Sequence, residues 1–211
     1  MNYLAHLHLA HLSHTSLSGA LLGEFSRGTI DPQLPPSLQL GIQLHRYIDS
    51  FTDAHPLHAQ RVRALPSPFR RYGGIIMDMM FDHFLAKHWS DYHSSSLADF
   101  IDYSHQQLLP NAHWPPAMVT LVERIKEYQL LSRYQTLDGI TYAIGGIDRR
   151  FRRPTPLPHV GPLLVSHYPE MEQAFFGFYP ELSQFVLTEA PLLGSGRDDK
   201  NLDDITEIWK G

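Results

Sequence analysis

The chain contains no cysteine. That excludes disulfides, thiolate metal sites and a cysteine nucleophile, and it suits a cytoplasmic protein. No apolar run reaches the roughly 20 residues that a membrane span needs, so no membrane association is expected. The first residues lack the basic leader of a secretory signal, and His6, His8 and His11 interrupt their apolar run. Positive charge is in the minority. Seventeen Lys and Arg against 22 Asp and Glu give a net charge of −5 with His neutral, so no general affinity for nucleic acid is expected. There is no internal repeat and no convincing strand pattern.

What remains is an ordinary globular composition: 211 residues, 43% apolar and 18% charged. That length supports one good core. The expected class is all-α, a single-domain helical bundle over residues 1–190, with residues 191–211 reading as a polar, flexible tail. Residues 2–13 admit helix or strand, and helix is favoured because the rest of the chain is helical. Further helices are expected from Ser16 or Ser18 to Phe25, from Pro36 to Pro56, over 73–85, after Ser96, after Pro115-Pro116, and from Leu131 to Phe151. The segment 157–190 reads as helices broken near Pro169 and Pro180. Residues 54–68 read as a basic connection.

Two helices carry the chemistry. In the first, His45, Asp49 and Asp53 climb at four-residue steps beside the apolar stripe Leu40, Leu44, Tyr47, Ile48 and Phe51, so neighbours in that series share a face. The second, Gly73–Leu85, is apolar almost all round, the mark of a buried helix. Yet it carries Asp78 and Asp82, with His83 beside them. Two buried carboxylates on one face need a cation. That cation is either Arg46, Arg70 or Arg71 in a structural ion pair, or a metal held jointly with His45 and Asp49.

Other candidates are more isolated. His6 reads equally as a ligand or proton shuttle and as a buried, hydrogen-bonded histidine, whereas His8, His11 and His14 read as bystanders. Glu24 lies on a mostly apolar segment near Arg27. Basic residues gather at Arg61, Arg63, Arg70 and Arg71, and again at Arg149, Arg150, Arg152 and Arg153. Helix C-termini attract cations, but four arginines in five residues also suit a phosphate or an acidic partner.

The order of motifs over roughly residues 1–185 resembles the bacterial acyl carrier protein phosphodiesterases, also called acyl carrier protein hydrolases. The motifs are Met1-Asn2-Tyr3-Leu4-Ala5-His6-Leu7, Leu22-Gly23-Glu24-Phe25-Ser26-Arg27-Gly28, Gly41–Asp49, Phe51–Pro56 and Asp78–Trp89. The resemblance implies a rearranged helical HD-type phosphohydrolase fold. It implies a divalent metal, most often manganese, and hydrolysis of the phosphodiester that links 4′-phosphopantetheine to the serine of holo-acyl carrier protein. The implied site positions are His6, Glu24, His45, Asp49, Asp53, Asp78, Asp82 and His83, and Glu24 stands where the family usually has Asp.

Imidazole and carboxylate donors suit Mn²⁺, Fe²⁺ or Zn²⁺. The resulting assignment has Glu24, His45, Asp82 and His83 holding the metal, and His6, Asp49, Asp78 and Lys87 acting in catalysis, with His88 a further proton donor. The arginines dock the acidic carrier protein. The competing expectations are a phosphohydrolase of nucleotides or other small phosphate esters, and a non-catalytic helical module that binds the carrier protein.

Overall fold

Proline sets the ends of the central helices. Pro36 opens α3 (Pro36–Ala54) and Pro56 opens α4 (Pro56–Ala64). Proline fits the first helical turn, where its missing N–H would have no partner. Between them His55 ends α3 and caps α4, its Nδ1 accepting the Leu57 N–H at 3.2 Å. The stretch 54–68, expected as a basic connection, is therefore largely helical. Pro56, the His55 cap and the good helix formers Leu57, Ala59, Gln60 and Arg61 explain why.

The structure is a computed structural model that describes residues 1–193. It is all-α, with no strand among those residues. The other helices are α1 (Tyr3–Leu12), α2 (Leu17–Leu22), α5 (Gly73–Lys87), α6 (Leu97–Gln107), α7 (Pro116–Glu127), α8 (Leu130–Arg133), α9 (Leu137–Asp148), α10 (Gly161–Ser166) and α11 (Tyr168–Glu189). Apart from its first three residues, the expected tail 191–211 lies outside the described residues. No helix among the described residues is long and apolar enough to cross a membrane.

Two boundaries differ from expectation. The helix expected from Leu131 to Phe151 is split into α8 and α9, because Thr136 caps α9 and accepts the Gly139 N–H at 3.1 Å. The expected break at Pro180 is absent, and α11 runs straight through it. A proline inside a helix costs about 3 kcal/mol. Burial of Phe175, Phe178, Tyr179 and Leu182 on that helix offsets it, at about 1.5–3 kcal/mol for each large apolar side chain.

Helices α1 and α5 form the centre. Every residue from Leu4 to Ala10 is buried, and α5 buries eleven of its residues. Helix α11 packs across α3, α4 and α5, and α2 lies against α3. The last contact depends on glycine: a Cβ on Gly41 would stand 2.6 Å from the Gly19 Cα. This arrangement brings the histidine of α1 alongside the histidine and carboxylates of α3 and α5.

Candidate functional site

Helix α1 is anchored at its start by α5. The buried Asp82 carboxylate accepts the N–H groups of Leu4 at 2.8 Å and of Asn2 and Ala5 at 3.3 Å. A carboxylate below a helix N-terminus satisfies donors that have no partner within the helix and complements its dipole. Burial still pushes the Asp82 carboxyl up to about 7, against the pull of the Met1 amino group and these N–H donors.

One turn along, His6 meets α3. Its ring stacks on His45, with centroids 4.0 Å apart and planes 16° apart. His6 Nε2 is 3.1 Å from Asp49 Oδ1, and His45 Nε2 is 3.2 Å from Asp49 Oδ2. His6, His45 and Asp49 each offer a ligand atom within 4.8 Å of the others. Burial and neighbouring His45 push His6 down to about 4, so it is neutral at pH 7, the form that ligates a metal. Burial would raise the Asp49 carboxyl. The Met1 ammonium, His6 and the hydrogen bonds from both histidines outweigh it and hold Asp49 below the ordinary carboxylate range.

Asp78 joins this group from α5. The Met1 amino group lies 3.2 Å from Asp78 Oδ1 and 3.5 Å from Asp49 Oδ1. His58 of α4 reaches Asp78 Oδ1 at 3.5 Å through Nε2. Two ring nitrogens are under-satisfied: His6 Nδ1 and His45 Nδ1 are buried without a hydrogen-bond partner, whereas Asp78 Oδ1 pairs with the Met1 amino group and with His58 Nε2. Buried polar atoms in that state call for a further partner. Two imidazoles and a carboxylate that converge, with a second carboxylate beside them, fit a divalent metal of borderline character; the Met1 ammonium already balances part of the acids' charge.

The group opens into a cavity of about 240 Å³, lined by His6, His45 and Asp78 together with Tyr3, Glu24 and Arg150. A larger cavity of about 420 Å³ shares Asn2, Tyr3, Glu24, Ile147 and Arg150 with it and continues between α7 and α9. On the other side, Ile75 also lines an open groove edged by Arg71, Arg152 and Arg153.

The remaining candidates are placed as follows. Glu24 is exposed on the wall common to the two cavities, and Asp53 is exposed near Asp78. His83 faces away: its Nδ1 donates to the Tyr134 carbonyl at 2.7 Å, and its Nε2 accepts from the Tyr168 hydroxyl at 2.8 Å. Lys87 and His88 both bind Glu172 at 2.7 Å. Lys87 is nine residues beyond Asp78, about 13 Å along α5. Arg46 donates to the Gly28 carbonyl at 2.6 Å and Arg70 to that of Leu65 at 2.9 Å. Arg61 and Arg63 occupy the last turn of α4, and Arg149 lines the larger cavity.

Three features escaped the sequence reading. His58 lay in a segment read as a connection, though a Pro56 start would have placed it on a helix. Gly23 makes room for His45: a Cβ there would lie 2.3 Å from His45 Cγ. Arg150 belongs to the wall between two cavities, which one-dimensional charge clustering does not reveal.

The family model for acyl carrier protein phosphodiesterase matches residues 1–182. Proteins named acyl carrier protein phosphodiesterase from Escherichia coli strains K12 / DH10B and O157:H7 EC4115 are 38% identical over 186 residues. The match covers 86% of this chain and 95% of each relative. No solved structure matches the chain. The ordered motifs, the helical fold and these matches lead to one assignment: the chain belongs to the acyl carrier protein phosphodiesterase family.

Proposed function

We propose that this protein hydrolyses the phosphodiester between 4′-phosphopantetheine and the serine of holo-acyl carrier protein, with a divalent metal, most readily Mn²⁺, held by His6, His45 and Asp49. In this reading the helices are a rearranged HD-type phosphohydrolase bundle. The observation that carries it is the convergence of His6, His45 and Asp49, with the two imidazoles on the wall of a cavity that Asp78 and Arg150 also line.

A metal bound there supplies charge neutralisation at the phosphate and a water acidified to near-neutral pKa. His6 and His45 offer ring nitrogens to the metal, and their stacked rings fix each other. Asp82 holds α1, and hence His6, in place. Asp78 Oδ1 takes the proton of the attacking water, and His58 Nε2 beside it shares that proton. The water oxygen bonds to phosphorus while the bond to the serine oxygen breaks. The serine oxygen gains a proton, and the phosphate stays on the pantetheine. The acidic carrier protein docks on the groove edged by Arg71, Arg152 and Arg153, where opposite charge steers the encounter.

Mass spectrometry of holo-acyl carrier protein incubated with this protein, with Mn²⁺ or with chelator, tests the reading. Loss of the phosphopantetheinyl mass only with metal is the expected result. An intact prosthetic group in the presence of metal-loaded protein overturns it, and turnover of small phosphate esters alone would replace it.

A further inference from the structure

The phosphodiester of the proposed substrate has two substituents, the carrier protein's serine and the pantetheine arm. The site likewise has two exits. Toward Ile75 it meets the groove of Arg71, Arg152 and Arg153. Across the wall of Tyr3, Glu24, Ile147 and Arg150 it meets the cavity of about 420 Å³. That volume falls in the roughly 300–1,000 Å³ range of small-molecule sites. Its walls are mainly apolar, from Phe25, Leu121, Leu130 and Ala143, with Glu24, Thr120, Arg124 and Arg149 as polar points.

We propose that this cavity receives the pantetheine arm, and that Arg150 binds the phosphate where the two cavities meet. The inference rests on the phosphodiesterase reading and adds its direction: protein on the basic groove, phosphate over the histidine and aspartate group, arm between α7 and α9. The chemistry fits each part. The arm is a flexible chain with two amides and a gem-dimethyl group, suited to an apolar cavity with a few polar points. The groove is open and basic, suited to an acidic protein surface and poorly suited to an uncharged arm.

Arg150 is set apart from the other arginines of its cluster. It lines both cavities, whereas Arg152 and Arg153 line the groove. Its Nη2 donates to the Tyr3 hydroxyl at 3.4 Å. That contact leaves most of its five N–H donors available for phosphate oxygens.

Adjacent glycines on α9 give a direct test. Gly146 lines the larger cavity, and a Cβ there meets only Arg149 Nη2, at 3.6 Å. Gly145 has nothing within 4 Å of its added Cβ and is not part of that cavity's lining. Calorimetric titration of 4′-phosphopantetheine into the Mn²⁺-supplemented protein should show binding to wild type and Gly145→Phe, weakened about tenfold or more in Gly146→Phe. Thr120→Trp, an exposed position on the opposite wall, should reproduce the loss if Gly146→Phe misfolds. Arg150→Gln should weaken 4′-phosphopantetheine about tenfold or more while leaving binding of pantetheine, which has no phosphate, within about twofold. Equal binding in all variants, or no binding to wild type, overturns the proposal. An equal loss for both ligands in Arg150→Gln overturns the phosphate role. Holo-carrier-protein turnover by wild type is scored separately, so failure of the phosphodiesterase reading is distinguishable from failure of this one.

Discussion

Helix α5 carries titratable side chains at both ends, and the two ends are built differently. Toward its start, Asp78 meets the Met1 amino group and His58, beside the stacked His6 and His45. The buried His6 Nδ1 and His45 Nδ1 there have no hydrogen-bond partner, and the group faces a cavity. Toward its end, His83, Lys87 and His88 form a closed chain with Tyr134, Tyr168 and Glu172. Each of these donors and acceptors has a partner at 2.7–2.9 Å. Residue type alone makes the two ends look equivalent, since both offer histidine and charge. What separates them is satisfaction. A closed network holds α5 to α11, whereas an open one beside a cavity can receive a ligand.

The largest expected effect comes from breaking the open end. His45→Ala and Asp49→Asn should each lower turnover of holo-acyl carrier protein by roughly 10²–10⁴-fold and reduce bound metal, measured by elemental analysis. Lys87→Ala should change turnover less than about threefold and stability by no more than about 1 kcal/mol, because its pair with Glu172 is partly exposed. If Lys87→Ala proved as damaging as His45→Ala, the contrast between the two ends would collapse. The next effect needs no change to a polar residue. Gly23→Ala places a methyl group 2.3 Å from His45 Cγ, so the ring must move. An ångström-scale displacement costs about 10²-fold in rate. Gly74→Ala, with nothing within 4 Å of the added carbon, is the matched control, and both are read by steady-state turnover and metal content.

Much of the fold was legible because local chemistry and tertiary packing agree. Proline starts α3, α4 and α7, serine caps α2 and α6, and the apolar helix at 73–87 is buried as its composition predicts. Pro180 was misleading because burial of four large side chains along α11 outweighs the local preference. The site was legible as far as helical spacing reaches. His45 and Asp49 share a face and meet, and His6 joins them. Spacing also grouped Asp82 with His83, but adjacent helical residues point about 100° apart. Asp82 turns to the start of α1 and His83 to Tyr134 and Tyr168. Which neighbours those directions meet is decided by the packing of α1 and α11, information that lies some 80 residues away in the chain.

The basic groove sharpens the comparison from outside. Reversing Arg71, Arg152 and Arg153 together to Glu should raise KM for holo-acyl carrier protein about tenfold or more at low salt, leaving kcat and bound metal little changed. The penalty should shrink as salt rises. Reversing Arg61 and Arg63, in the last turn of α4, should have a smaller effect. A fall in kcat without a change in KM would move the three arginines from docking into the chemistry.

The smallest effect separates two histidines of one helix. His6 and His8 are both buried on α1 and both pushed down to about 4 by burial. His8, however, is satisfied, with Nδ1 2.7 Å from the Tyr179 hydroxyl and Nε2 3.2 Å from the Tyr92 carbonyl. Because the unfolded imidazole titrates near 6.5, the unfolded state binds the extra proton between pH 6.5 and 4. The stability of the folded state is therefore full above pH 6.5 and declines as pH falls toward 4. For His8 alone the loss at pH 5 is on the order of 2 kcal/mol. Asp82, raised to about 7, acts in the opposite direction. The informative quantity is thus the difference between wild type and His8→Gln in urea unfolding at pH 7 and pH 5. His8→Gln should lose less stability than wild type over that interval while keeping its metal content and most of its turnover. Loss of metal from His8→Gln would extend the open network to the far face of α1, and the boundary drawn between satisfied and unsatisfied histidines would have to move.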